Sequence, residues 1–283
     1  MFFPVVYMAP RLVAAFLLGS ALSTAAAAAE SPWIKATDSK VRLVSAVVAV
    51  DEQERTVAGV QIRMEAGWKT YWHNPGDSGV PPSFDWSGSS NLKRAEVLYP
   101  APRRLTDASG AAIGYEDEVV FPVLITPERP GEPVALKLNL SYGLCKDLCI
   151  PNEASLSLVL PAKEAADQGD ALLLTGFLDL VPKSAEAGQL PTVSAIEATL
   201  DGSAPKLVIE TQFPAGASGS DLFVDAPDAY VPLPKADGPL DGGKQRFIVT
   251  FGSAAEAAKI KGKSLTLTLV YDRGGRQSTW TAQ

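Results

Sequence analysis

Residues 134–160 have the sequence VALKLNLSYGLCKDLCIPNEASLSLVL, and their pattern indicates the fold. In its two arms, residues 134–140 and 154–160, every second residue is apolar, which is the pattern of a β-strand with one buried face. Between the arms, residues 143–151 carry the Gly and Pro of a connection, so the stretch predicts a β-hairpin. The two cysteines of the chain, Cys145 and Cys149, therefore lie at the predicted tip.

Similar short runs, alternating or rich in β-branched residues, recur along the chain and are separated by turn sequences. They lie at residues 41–50, 57–65, 119–125, 195–200, 206–213, 222–224, 246–251 and 265–271. A single helical stretch, residues 162–180, contains good helix formers and stops at Val181-Pro182. Because strands and helices do not alternate, we predict an all-β protein with two antiparallel β-sandwich domains joined by a short helical connector.

The order of residues at the amino terminus predicts a secretory signal over residues 1–29. It has one charge at Arg11, an apolar run over residues 12–22 and a small-residue end at Ala29. The apolar run has 11 residues, too few for a membrane-spanning helix, so we expect cleavage, export and no membrane insertion of the mature chain. The remaining segments are then residues 30–161, the first sandwich; residues 162–189, the connector; and residues 190–283, the second sandwich.

Composition excludes several classes of function. The chain has 283 residues, of which 46% are hydrophobic and 20% charged, so we expect a packed core and not a disordered chain. A net charge of -7 argues against nucleic acid or an anionic membrane surface as a partner, because no basic patch is present to neutralise phosphates. No P-loop, dinucleotide motif or nucleophile-base pair is visible, and we expect no cofactor.

The cysteine pair admits three hypotheses. In an exported chain it predicts a disulfide, which would be either a structural bridge or a redox-active one. A bridge that encloses five residues stabilises by only about 2 kcal/mol in the loop-entropy model, and a sandwich of this size already has an adequate core, so the sequence favours redox chemistry. A soft-metal site, in which His73 or Met64 helps the two thiolates to hold a cuprous ion, remains the third hypothesis.

Three ordered blocks carry a family resemblance. They are GWKTYWHNPGDSGVPP at residues 67–82 with Trp86, IGYEDEVVFP at residues 113–122, and YGLCKDLCIP at residues 142–151. On these blocks, about residues 40–160 resemble the periplasmic amino-terminal domain of the thiol-disulfide interchange reductase DsbD. The spacing of three residues between the cysteines resembles its copper-sensitivity-suppressor (ScsB-like) branch.

The resemblance implies immunoglobulin-like sandwiches in the periplasm and an oxidoreductase of the protein-disulfide reductase type. Its partners would be a thioredoxin-like or membrane electron-transfer protein, which donates electrons, and periplasmic disulfide proteins, which accept them. Cys149 would be the accessible cysteine that forms the mixed disulfide, and Cys145 would resolve it. Copper tolerance through the same pair, and a non-catalytic binding module with a structural bridge, are the alternatives to this activity.

Residues around the pair are candidates for shielding and tuning it. An aromatic cap would come from Trp68, Tyr71, Trp72 and Tyr115, and carboxylates that tune the pair from Glu116 and Asp117. Each candidate also has a plainer interpretation. Aromatic residues usually sit in cores and at sheet edges, and adjacent acidic residues usually form a solvated turn.

Overall fold

A computed structural model describes residues 30–50, 53–76, 79–107, 110–162 and 168–283, so the expected signal segment lies outside the described residues. The strands of the first half are β1 (Ile34–Ala36), β2 (Ser39–Val50), β3 (Gln53–Met64), β4 (Lys69–Gly76), β5 (Ser83–Asp85), β6 (Leu92–Val97), β7 (Arg103–Asp107), β8 (Gly110–Glu116), β9 (Glu118–Pro127), β10 (Val134–Cys145) and β11 (Cys149–Leu160). Those of the second half are β12 (Lys183–Ser184), β13 (Thr192–Thr199), β14 (Lys206–Gln212), β15 (Asp221–Asp225), β16 (Lys235–Asp241), β17 (Lys244–Thr250), β18 (Ser264–Tyr271) and β19 (Gly274–Thr281). The helices are α1 (Gln168–Asp179), α2 (Ala254–Ala257) and a 3-10 turn at Ala258–Ile260.

The first half forms two sheets that face each other. One has the strand order β1-β2-β3-β9-β6, and the other has the order β11-β10-β4-β8-β7, with β5 added to β10. Their facing sides share one hydrophobic core, which includes the fully buried Trp72, Phe121, Leu138 and Tyr142. The alternation that the sequence shows in β10 and β11 arises because one side of each strand enters this core.

The second half forms another pair of sheets, with strand orders β12-β19-β18-β15 and β13-β14-β17-β16. A separate core between them contains Leu207, Phe247 and Leu267, each no more than 1% exposed. The predicted all-β class, two immunoglobulin-like sandwiches with little helix, is therefore confirmed. The limits of the segments 30–161, 162–189 and 190–283 stay a prediction.

Helix α1 lies on the outer face of the first sandwich and packs against β2, β3 and β9. Leu174 is its fully buried anchor, in a cluster with Val44 and Val120. A Cβ at Gly59 would lie 2.6 Å from Leu174 Cδ2, so the helix can approach this closely only over a glycine. Of the predicted residues 162–180, α1 covers residues 168–179, and residues 163–167 lie outside the described residues. Strand β12, which lies in the expected connector, pairs with β19 of the second sandwich. No helix in the described ranges is long and apolar enough to cross a membrane.

Candidate redox site

The hairpin of β10 and β11 ends in the cysteine pair. Its register is continuous from the Val134–Leu160 pair to the Cys145–Cys149 pair, and the two cysteines form a disulfide with Cα atoms 4.1 Å apart. The predicted hairpin is confirmed. Its connecting segment is shorter than the expected residues 143–151, because strand pairing continues up to the cysteines and leaves only residues 146–148 as the tip.

The two sulfur-bearing residues differ in exposure. Cys145 is 4% exposed and belongs to a small buried cluster with Tyr71 and Ala112. Cys149 is exposed, and its neighbour Leu148 is 71% exposed. Thiol-disulfide exchange depends on the access of a thiolate to a sulfur atom, so an incoming protein meets Cys149 and not Cys145.

Tyr71 lies directly against the exposed cysteine. Its side chain is 1% exposed, and its hydroxyl oxygen is 3.2 Å from Cys149 Sγ. The ring is held between two glycines: a Cβ at Gly79 would lie 2.6 Å from its Cδ1, and a Cβ at Gly143 would lie 3.1 Å from its Cε2. Since a disulfide sulfur carries no hydrogen, the tyrosine hydroxyl is the donor in this contact.

Two of the other cap candidates lie in the sandwich core. Trp72 is fully buried there, because successive side chains of β4 point to opposite faces and Tyr71 takes the face of the disulfide. Tyr115 is also in the core, and its hydroxyl donates to the carbonyl oxygen of Pro100 at 2.8 Å. Burial raises the pKa of Tyr115 well above its ordinary value, and nearby Tyr99 adds to the increase, so this hydroxyl stays protonated.

The remaining candidates are Trp68 and the two carboxylates. Trp68 packs against the first core and lines a surface groove together with Lys146 of the hairpin tip. Glu116 ends β8 and is paired with Lys69, which in turn is paired with Cys145, so this carboxylate lies two strands away from the disulfide. Asp117 has a φ of 61° and makes the turn between β8 and β9.

Sequence reasoning missed two residues next to the pair. Lys69 is only 7% exposed and is the cross-strand neighbour of Cys145. Thr70 is fully buried, and its Oγ1 donates to the carbonyl oxygen of Gly143 at 2.9 Å, which ties β4 to the hairpin. No local signal marks either residue, because the pairing of β4 with β10 joins segments that are far apart in the sequence.

The structure places His73, one of the two candidate partners of the thiolates in the metal hypothesis, against β15 of the second sandwich. His73 Nε2 lies 3.4 Å from Asp225 Oδ2, and its ring meets Tyr99 at a centroid distance of 5.1 Å. Met64 is partly buried against the first core. Among the described residues, no group of three or more His, Cys, Asp or Glu could hold a metal ion.

An accessible disulfide at the tip of a hairpin in an immunoglobulin-like sandwich, with a buried partner cysteine, is the arrangement of a thiol-disulfide interchange domain. Comparison with known families agrees with this class. Residues 40–161 match the family described as "Thiol:disulfide interchange protein DsbD, N-terminal", so this part of the chain is similar to that family. The resemblance drawn from the three sequence blocks is confirmed.

The fold of both sandwiches recurs in a solved structure. The crystal structure of the N-terminal periplasmic domain of ScsB from Proteus mirabilis has a TM-score of 0.67 and 23% sequence identity to this chain. The match covers 90% of this chain and 98% of that one, so the shared fold extends beyond residues 40–161. A comparison with curated protein sequences finds no match.

Proposed function

We propose that this protein is a periplasmic thiol-disulfide interchange protein. It passes electron pairs from a thioredoxin-like or membrane-bound donor to the disulfides of periplasmic proteins. The observation that carries the proposal is the pairing of an exposed Cys149 with a buried Cys145 at the end of a rigid hairpin. The family of residues 40–161 supports the same chemistry.

The exchange needs two displacement steps. In the reduced protein, the thiolate of Cys149 attacks one sulfur of the target disulfide, a mixed disulfide forms, and the other target sulfur leaves as a thiolate. The thiolate of Cys145 then attacks Cys149 Sγ, which re-forms the internal disulfide and releases the second target thiolate. The target gains two electrons and the protein loses two. A dithiol donor restores the reduced state by the same steps in reverse.

The surroundings of the pair fit each step. Cys149 is reachable by a second protein, whereas the burial of Cys145 keeps it from competing for the target. When the disulfide opens, the Tyr71 hydroxyl is placed to donate a hydrogen bond to the new thiolate of Cys149. A hydrogen bond to a charged group is stronger than one to a neutral sulfur, so Tyr71 favours the reduced state over the oxidised state.

A purely structural role explains the site less well. The bridge closes a loop of only five residues, from Cys145 to Cys149, so the lost entropy of the unfolded chain stabilises the fold by only about 2 kcal/mol. Placement of the outer cysteine in solvent adds nothing to stability. The chain contains one cysteine pair, which stores one electron pair, so each cycle draws on a donor dithiol in another domain or protein.

The proposal predicts which cysteine can be trapped. In Cys145→Ala, the exposed thiol of Cys149 should form a mixed disulfide with glutathione disulfide at least about tenfold faster than the buried thiol that remains in Cys149→Ala. Once Cys149 of this variant carries glutathione as a mixed disulfide, the thiolate of a thioredoxin-like protein that lacks its own resolving cysteine should attack Cys149 Sγ, release glutathione and stay bound. A wild-type reduction potential far below about -300 mV, together with no trapping by either variant, would refute the proposal.

A further inference from the structure

One face of β15 in the second sandwich rests on the first sandwich. Asp221, Phe223 and Asp225 are alternate residues of this strand and therefore share a face. Asp221 accepts two hydrogen bonds from the Arg104 guanidinium of β7, both of 2.8 Å. Phe223 is fully buried in the core of the first sandwich and not in that of the second. The second sandwich thus contributes a core side chain to the domain that carries the disulfide.

Further contacts of this face involve the part of β4 that directly follows Tyr71. The Trp72 ring lies 5.7 Å from the Phe223 ring. His73 Nε2 lies 3.4 Å from Asp225 Oδ2, and Asn74 Nδ2 donates to the other carboxylate oxygen. A single carboxylate of β15 therefore holds two consecutive residues of β4.

These side-chain contacts replace backbone pairing that β4 lacks at this point. Residues 69–71 pair with β8, and Gly76 pairs with Ala112, but the register shifts between Tyr71 and Gly76 and the segment 72–75 has no partner in the described ladder. On the other side, β4 pairs with β10 at Lys69. In the described part of the chain, residues 72–74 are thus supported by side-chain contacts, those with β15 together with the packing of Trp72 in the first core and of the His73 ring on Tyr99.

We propose that β15 positions Tyr71 against Cys149, with Phe223 and Asp225 as the positioning residues, so that the second sandwich sets the redox equilibrium of the disulfide. This inference rests on the proposed interchange function. The contact between the Tyr71 hydroxyl and Cys149 Sγ is 3.2 Å long, and hydrogen bonds weaken steeply with distance and misalignment. If a shift of residues 72–74 moved the Tyr71 hydroxyl by about 1 Å, the hydroxyl would lie beyond hydrogen-bond range of Cys149 Sγ.

The test compares two isosteric substitutions on the same face of β15. In Asp225→Asn, the amide has one oxygen in place of two and no charge, so it cannot both accept from Asn74 Nδ2 and present an oxygen to His73 Nε2. Asp221→Asn makes the same change for the Arg104 contact on β7 and serves as the matched control. We expect Asp225→Asn to shift the equilibrium with glutathione about two- to tenfold toward the disulfide, and Asp221→Asn to shift it less than about twofold.

A double-mutant cycle then shows whether the effect passes through the tyrosine. In a Tyr71→Phe background, Asp225→Asn should cause no further shift, because the contact that it disturbs is already gone. An undiminished shift in that background, or an equal shift from Asp221→Asn, would overturn the inference. A wild-type disulfide that dithiothreitol cannot reduce would refute the proposed function and this inference together. A wild type that exchanges normally beside an unchanged Asp225→Asn variant would refute the inference alone.

Discussion

The most direct test of the proposed chemistry removes the hydroxyl group of Tyr71. Tyr71→Phe removes one oxygen atom that lies 3.2 Å from Cys149 Sγ and keeps the buried ring between Gly79 and Gly143. The oxidised protein loses a weak contact to a neutral sulfur. The reduced protein loses a charge-assisted hydrogen bond to the Cys149 thiolate, so the substitution destabilises the reduced state more than the oxidised state.

The size of the effect follows from the strength of that hydrogen bond. Hydrogen bonds to charged groups contribute about 1.5–3 kcal/mol, and about 1.4 kcal/mol corresponds to a tenfold change in an equilibrium constant. Tyr71→Phe should therefore shift the equilibrium with glutathione about 10- to 100-fold toward the disulfide. For a two-electron couple this lowers the reduction potential by about 30–60 mV.

The assay is a redox titration in glutathione buffers over a range of pH. The effect requires a thiolate, so it should be small in acid and reach its full size at about pH 9, above the ordinary cysteine pKa of about 8.5. Tyr115→Phe is the matched control, because it removes a buried hydroxyl that donates to Pro100. It should lower the free energy of unfolding by about 1–3 kcal/mol and leave the redox equilibrium unchanged.

Two results would refute this reasoning. One is a Tyr71→Phe protein whose redox equilibrium stays within about twofold of wild type at every pH. The other is a shift of the expected size that is the same in acid and alkali, since a hydrogen bond to a thiolate cannot act where the thiol is protonated.

Two further predictions test the fold that supports the site. Leu174→Ala should lower the free energy of unfolding by about 2–4 kcal/mol in urea denaturation, because this side chain of α1 is fully buried against the first sandwich. The control Leu172→Ala, at a position 78% exposed, should change the free energy of unfolding by less than about 0.5 kcal/mol. Equal effects of the two substitutions would contradict the packing of this helix. Gly114→Ala should prevent stable folding, because its Cβ would lie 1.9 Å from the carbonyl oxygen of Thr70. The control Gly176→Ala has open space around it in α1 and should raise the melting temperature, because alanine has a higher helix propensity than glycine by about 0.5–1 kcal/mol. A soluble and stable Gly114→Ala protein would show that β4 and β8 are not this close.

Much of the first sandwich could be predicted because its signals are local. The period-two alternation of residues 134–160 places both cysteines at one hairpin tip, and the observed register confirms that placement. Strands with weak alternation were missed. Residues 69–76 lie in none of the predicted strands, but they form β4.

The site was predicted only in part, because the sequence suggests candidate residues but does not show which residues they contact. Adjacent aromatic residues such as Tyr71 and Trp72 look equivalent in the sequence, yet strand alternation sends one to the disulfide and the other to the core. Which of the two faces the sulfur depends on the face that β4 turns toward the hairpin. That orientation is set by nonlocal pairing with β8 and β10.

Local patterns in the sequence were enough to predict an all-β chain, a hairpin with a cysteine at each side of its tip, and a resemblance that three short blocks carry. These features depend on residues that are close together in the chain, where side-chain periodicity and turn chemistry act directly. The tertiary structure decided that Cys145 is buried, that Tyr71, 78 residues away from Cys149, touches its sulfur, and that β15 of the second sandwich holds β4. Such contacts follow from the pairing and packing of strands distant in sequence, and a local pattern cannot encode them because every alternative pairing buries similar side chains.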